Sequence, residues 1–198
     1  MASLNVWLVR HGETEWSLSG RHTGRTDIPL TGQGERDARV LGARLRGETF
    51  VRVFTSPRQR ARQTCVLAGV TPLAEIDPDL AEWDYGAYEG QFSADIRQAR
   101  PGWNLFRDGS PGGEMPAQVS ERADRLISRL RAVDGNVALF SHGHFGRVLA
   151  ARWLGLPVTD AQKFLLGTAS LSILGSEPSH PEVPVIALWN SRSEAGSP

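Results

Sequence analysis

Two histidines in this chain each close a short apolar run and stand directly before a glycine. Arg10-His11-Gly12-Glu13-Thr14 ends the run Val6 to Val9, and Ser141-His142-Gly143-His144 ends Val137-Ala138-Leu139-Phe140. Imidazole is a competent nucleophile near neutral pH when one ring nitrogen is free and the other N–H is held by an acceptor. Arg10 places a permanent planar cation beside His11, and Gly12 permits close backbone approach. Alone, His11 could be an ordinary histidine in a surface turn. The repetition at His142 makes a purely structural reading of both hard to sustain. The His142-x-His144 spacing also admits a metal pair, although no third ligand cluster of the usual hydrolase kind accompanies it.

Two further stretches carry charge where it could be used. Thr55-Ser56-Pro57-Arg58-Gln59-Arg60-Ala61-Arg62-Gln63-Thr64 offers guanidiniums, one of which could clamp an oxyanion in a bidentate manner, against the plainer reading of a solvated basic helix face for Arg58 and Arg62. Leu80-Ala81-Glu82-Trp83-Asp84-Tyr85-Gly86-Ala87-Tyr88-Glu89-Gly90 brings carboxylates into an aromatic, turn-rich setting. There one partly desolvated acid could serve as a proton donor, or the acids could simply ring an aromatic plug. Spacing alone does not choose between Glu82, Asp84 and Glu89.

These groups need a scaffold that gathers them. Val6–Val9 and Val137–Phe140 are patterned as strands buried on both faces of a sheet, so each delivers its histidine at a strand's C-terminal edge. Residues 17–30 read as a long ordered loop. Thr31 is a helix N-cap, with the helix running to about Arg46. Val51 to Thr55 is a second strand, and Ser56-Pro57 reads as a cap followed by proline at the first position of a helix to about Ala68. The stretch 71–116, broken by prolines and glycines, is an irregular excursion with one short helix near Ala94–Ala99. A helix over about Ala117–Ala132 presents Val119, Ala123, Leu126, Ile127 and Leu130 on one face. A helix over Phe145–Leu154, strands at Leu171–Leu174 and Val183–Trp189, and a frayed tail over 191–198 complete the chain. Alternating strands and helices imply a single-domain α/β fold, a three-layer α/β/α sandwich around a mostly parallel sheet. Ligands in such sheets bind outside the carboxyl ends of the strands.

Composition narrows the classes. The 198 residues are 40% hydrophobic, enough for a sizeable core, and the formal net charge of zero removes any global electrostatic case for nucleic acid or an anionic membrane. Cys65 stands alone, which rules out an intrachain disulfide and a cysteine-based zinc site and suits a reducing compartment. The N-terminus lacks the basic start and the apolar length of a signal peptide, and no run approaches the ~18–20 residues of a membrane span. A cytoplasmic location is expected.

Taken together, Leu8-Val9-Arg10-His11-Gly12-Glu13-Thr14, the block from Thr55 to Thr64, Leu80 to Gly90 and Ser141-His142-Gly143 resemble the histidine phosphatase superfamily. Its metal-independent phosphatases share a fold with 2,3-bisphosphoglycerate-dependent phosphoglycerate mutase. The resemblance implies a phosphatase of small phosphomonoesters such as sugar phosphates, phosphoglycerates or nucleotides, working through a phosphohistidine with neither metal nor cofactor. It implies His11 as nucleophile, Arg10, Arg60 and His142 as holders of the phosphoryl oxygens, and Glu82 as proton donor and then base. The stretch Gly20–Thr31 looks like the family's phosphate-binding loop, which would bring Thr23 and Gly24 near the phosphoryl group. Tyr85, Gly143 and His144 would contact substrate, and Ser17, where many members have Asn, could donate a hydrogen bond with shorter reach.

The pattern lacks one mutase feature, the insertion whose paired arginines grip a carboxylate, since Arg97, Arg100 and Arg107 are not adjacent. The pattern is therefore closer to bacterial broad-specificity acid phosphatases and the sedoheptulose-bisphosphatase-like branch. A mutase, or a non-catalytic binder of a phosphorylated ligand, are the alternatives. The latter is disfavoured because Arg10, His11, Glu82 and His142 are all present. Trp83, Tyr85, His22 and Trp103 could wall the leaving group or pack in the core. The alternating Val183, Val185 and Ala187 could form an exposed strand edge that pairs with a second copy in a homodimer.

Overall fold

The apolar run before His11 forms the first of six strands among the described residues: β1 (Asn5–Arg10), β2 (Phe50–Thr55), β3 (Ala74–Ile76), β4 (Asn136–Ser141), β5 (Leu171–Glu177) and β6 (His180–Ser191). The computed structural model describes residues 4–70 and 74–192. The strands lie in one sheet in the order β3-β2-β4-β1-β5-β6. The first four are parallel to one another, while β5 and β6 close one side as an antiparallel hairpin. This is the mostly parallel sheet expected.

Helices cover both faces. On one side α2 (Gly32–Leu45) and α3 (Gln59–Leu67) pack Leu41, Leu45 and Cys65 against Val9, Ala138 and Phe140. On the other, α6 (Pro116–Leu130) and α7 (Gly143–Trp153) pack Val119, Leu126, Phe145 and Leu149 against Val6, Leu8, Val137 and Leu139. Successive residues of β1 and β4 thus serve opposite cores, which is why these strands read as unbroken apolar runs. Full burial of each such side chain contributes about 1.5–3 kcal/mol.

Several elements differ from the expectation. The supposed loop over 17–30 overlaps a short helix, α1 (Glu15–Ser19), closed by a reciprocal cap between Thr14 and Ser17. A five-residue helix with no buried residue leaves no periodic signal. Helix α3 starts at Gln59 and not at Pro57, because Arg58 keeps an extended backbone (φ −78°, ψ 135°), while the Ser56 hydroxyl accepts from the Arg58 amide ahead of the helix. The excursion is better ordered than it reads. Besides α4 (Ser93–Ala99) it contains β3, α5 (Leu105–Asp108) and 3-10 turns at Pro78–Leu80 and Gly86–Tyr88, and it buries Trp83, Tyr85, Trp103, Leu105 and Phe106 in the core; residues 71–73 lie outside the described set. Of the supposed tail, Ser191 ends β6 and accepts from both terminal nitrogens of Arg44, while 193–198 lie outside the described residues. Strand β6 is an edge of the sheet. No helix among the described residues is long and apolar enough to cross a membrane.

Candidate active site

Adjacent parallel strands bring the two histidines together. Arg10 of β1 is in register with Ser141 of β4, and the ladder continues one step further, the His11 amide donating to the Ser141 carbonyl at 3.0 Å. The rings of His11 and His142 therefore meet edge to face, centroids 5.1 Å apart. Beyond His11 the backbone turns sharply against the start of α2. Gly12 and Gly34 are required there, since a Cβ on Gly12 would lie 2.5 Å from the Gly34 carbonyl oxygen. The Gly12 amide donates to the Thr64 hydroxyl at 3.0 Å, tying this turn to α3.

The tautomer of His11 follows from its partner. Nδ1 lies 2.7 Å from the Gly12 carbonyl oxygen, which can only accept, so Nδ1 carries the proton and Nε2 bears the lone pair. His11 is buried. Burial, then the charges of Arg60 and Arg10, hold its pKa well below the ordinary histidine value. The ring is a neutral base with its free nitrogen set among cations. His142 is depressed in the same direction by burial, Arg60, His11 and Arg10. Its Nε2 lies 2.7 Å from the Ser56 hydroxyl, which itself accepts from the Arg58 amide. Nε2 of His142 is thus taken by Ser56, and Nδ1 is a buried atom with no partner among the described residues. Arg10 Nε and Arg60 Nε are buried and unpartnered in the same way. Unpaired buried donors are costly, and an anion offsets that cost.

A cavity of about 190 Å³ opens beside His11. Its wall includes Arg10, His11, Ser17, Thr23, Glu82, Tyr85, Gly143 and His144, so most residues singled out in the sequence do converge. Gly143 matters through its missing side chain: a Cβ there would stand 3.1 Å from the Arg10 guanidinium carbon, so glycine lets that fork lie against the first turn of α7. Arg10 is held from behind by the Leu166 carbonyl.

Other expectations need adjustment. Arg60 and His142 stand behind His11, outside the cavity wall. The terminal nitrogens of Arg60 are bound to the carbonyls of Thr23, Gly24 and Thr26, which shape the loop. Gly24 is also off the wall, and its amide is taken by Glu89 at 2.9 and 3.1 Å. The Ser17 hydroxyl donates to the Thr14 carbonyl as part of the α1 cap, and the Thr23 hydroxyl donates to the Arg21 carbonyl. Trp83 is core, its indole N–H donating to Glu114, whereas Tyr85 and His22 do face the cavity. His142 and His144 turn to different partners, Ser56 and Tyr85. Among the described residues no group of three His, Cys, Asp or Glu side chains could hold a metal ion.

The structure distinguishes among the three acids. Glu89 fastens the loop through Gly24 and Thr26, and Asp84 pairs with Arg25. Glu82 alone reaches the cavity, its carboxylate lying on the amino end of α7. Oε1 accepts from the amides of Trp83 and Phe145, and Oε2 from that of His144 alone, which leaves Oε2 room for a proton. Arg122 of α6, which sequence reasoning passed over, positions this carboxylate. Its guanidinium donates to the carbonyls of Asp79 and Ala81, immediately before Glu82, while binding Glu114 and stacking 4.4 Å from the Phe145 ring centroid. The available signal was an arginine three residues after Val119, on the apolar face of α6. Arg21, His22, Ser93, Arg147 and Leu166 also line the cavity.

Known proteins resemble the chain over most of its length. Residues 6–191 match the family model described as "Histidine phosphatase superfamily (branch 1)". The chain is 42% identical over 186 residues to an acid phosphatase of Mycobacterium tuberculosis, covering 91% of each chain. It is 38% identical over 184 residues to a sedoheptulose 1,7-bisphosphatase of Saccharomyces cerevisiae, covering 76% of this chain and 68% of that one. The solved structure of the open reading frame Rv3214 from Mycobacterium tuberculosis superposes with a TM-score of 0.89 at 38% identity, covering 95% of this chain and 97% of that one.

Proposed function

Because the chain belongs to the histidine phosphatase superfamily and is a phosphatase of it, we propose that it hydrolyses small phosphomonoesters through a phosphohistidine on His11, without a metal. One observation carries this reading: a neutral imidazole with a free Nε2, flanked by buried guanidiniums, shares a cavity with a carboxyl group seated on a helix amino end.

The chemistry balances. His11 Nε2 attacks phosphorus, the P–O ester bond breaks, and the departing oxygen takes the proton from Glu82 Oε2. Arg10 supplies donors for the equatorial oxygens as charge shifts onto them, and the guanidinium of Arg60 behind His11 adds positive charge. Water then enters, Glu82 accepts its proton, the water oxygen bonds to phosphorus and the P–N bond breaks. Orthophosphate leaves, with Glu82 protonated and His11 neutral again. The size of the cavity, about 190 Å³, suits a phosphoryl group with a small leaving alcohol.

The test is phosphate release from p-nitrophenyl phosphate in excess EDTA, with the wild type and His11→Ala. Turnover that survives chelation, disappears in the variant and passes through an alkali-stable, acid-labile phosphoryl adduct is expected. Chelator-sensitive turnover, or turnover by His11→Ala, refutes the mechanism.

A further inference from the structure

Resting on that reading, in which Arg10 holds phosphoryl oxygens, we infer that Trp189 and Asn190, near the end of β6, are positioning residues for Arg10. They act through the segment 164–170, whose Leu166 carbonyl accepts from the Arg10 guanidinium. This segment runs between a 3-10 turn at Val158–Lys163 and β5, outside any helix or strand, so the bonds that pin it set its place. Toward the site, the Ala169 amide donates to the His11 carbonyl at 3.0 Å and the Arg10 amide to the Ser170 carbonyl at 3.2 Å. Toward β6, the Trp189 indole N–H donates to the Leu165 carbonyl, and the Asn190 side-chain oxygen accepts from the Gly167 amide, both at 2.7 Å. The Leu166 carbonyl and the Gly167 amide belong to one planar peptide group. Asn190 therefore grips by its N–H the same plane whose oxygen holds Arg10, and it fixes the direction in which that oxygen points.

The local backbone is shaped for this contact. Among the described residues, the non-glycine positions with left-handed φ are Ala169, at 51°, and Asn190, at 52°, one on each side of the junction. Such conformations cost free energy and persist where the surroundings hold them, and asparagine tolerates them better than most residues. Asn190 also lies in a β-bulge. Leu171 pairs with Ser191 and Ile173 with Leu188, so Trp189 and Asn190 together stand opposite Ser172. The Asn190 amide accordingly donates to the Ser172 hydroxyl, at 2.9 Å, in place of a ladder carbonyl. An extra residue in one strand re-aims a side chain, here toward the segment that carries Leu166. Both ends of the bulge are tied down, Ser191 by Arg44 of α2 and the Trp189 ring by Phe164, whose centroid is 5.4 Å away. The support for a guanidinium at the start of the chain thus comes from its last strand.

The experiment is a set of double-mutant cycles with Arg10→Ala, read in kcat/KM for p-nitrophenyl phosphate and in the affinity for vanadate. Asn190→Gly keeps the left-handed backbone and removes the acceptor, Asn190→Asp keeps an acceptor, and Trp189→Phe keeps a ring and removes the indole N–H. With Arg10 in place, Asn190→Gly is expected to lower kcat/KM about tenfold, chiefly through kcat, and to weaken vanadate binding in proportion. Trp189→Phe is expected to cost about threefold, and Asn190→Asp to recover most of what Asn190→Gly loses. In the Arg10→Ala background each loss should shrink to less than about twofold, because the group being positioned is gone. A residue that merely supports the fold costs the same in both backgrounds, so equal losses overturn the inference, as do undiminished kinetics in Asn190→Gly. If Asn190→Gly does not fold, Trp189→Phe in the two backgrounds decides by the same comparison. Failure of the wild type to cleave p-nitrophenyl phosphate overturns the phosphatase reading, and the role of Arg10 with it.

Discussion

His11 and His142 lie edge to face with ring centroids 5.1 Å apart, and neither ring carries charge. Two imidazoles at this distance beside Arg10 and Arg60 cannot both be cationic without strong repulsion, so burial first, and then these cations, keep the pair neutral.

That arrangement sets the acid side of the activity profile. An ordinary histidine is mostly protonated below pH 6.5, whereas His11, depressed well below that value, retains its lone pair as the solution becomes acidic. The kcat/KM profile is expected to be a bell with its maximum at about pH 5–7 and its acid limb below pH 6.5. An acid limb at or above pH 6.5, measured with p-nitrophenyl phosphate, contradicts the assignment.

Stability should move the opposite way in acid. His11, His22, His142 and His144 all have folded pKa values below the unfolded one, that of His22 near 4. The unfolded chain therefore binds protons first, and the stability these groups confer is present above about pH 6.5 and lost as pH falls through their folded values. Thermal melts from pH 7.5 to 4.5 should show Tm falling, and vanadate should restore part of the loss, because a bound anion favours the protonated rings.

Glu82→Gln separates acid catalysis from binding. A glutamine keeps an acceptor for the Trp83 and Phe145 amides, loses the one for His144 and cannot give up a proton, so hydrolysis of alkyl phosphates should fall by about 10²–10⁴-fold. The loss on p-nitrophenyl phosphate, whose phenolate leaves unaided, should be smaller. Equal losses on both substrates would remove Glu82 from the proton-donor role.

Gly143→Ala should divide activity from stability. Alanine is the better helix former, by about 1 kcal/mol, yet its Cβ would press on the Arg10 guanidinium 3.1 Å away. A variant at least as stable as the wild type with kcat/KM reduced about tenfold, equal to ~1.4 kcal/mol of transition-state stabilisation, is expected. Undiminished kinetics would show that Arg10 does not need its present position.

Arg122→Ala should damage both. It strands Glu114 and the carbonyls of Asp79 and Ala81, a loss of about 3 kcal/mol when one partner of a buried ion pair is removed. Chemical denaturation should report that loss, and loosening the segment before Glu82 should lower kcat more for alkyl phosphates than for p-nitrophenyl phosphate.

The residues around each histidine were legible in the chain because strand, glycine and helix are local features: an apolar run of strand length, a residue without Cβ and a capped turn leave marks within a few positions. The pairing of Arg10-His11 with Ser141-His142 followed from the habit of parallel sheets to gather their C-terminal ends. Sequence alone thus determined the mostly parallel sheet, its two apolar faces and the two histidine-bearing strand ends brought to one edge. The tertiary structure decided their duties. It assigned Glu82 to the cavity and Glu89 to the loop, spent Ser56 on His142, turned Arg60 toward the loop carbonyls and held Arg10 on the Leu166 carbonyl. Those outcomes depend on contacts between residues far apart in the chain, where each donor is claimed by whichever acceptor packing brings within hydrogen-bond reach, and no local spacing records that competition.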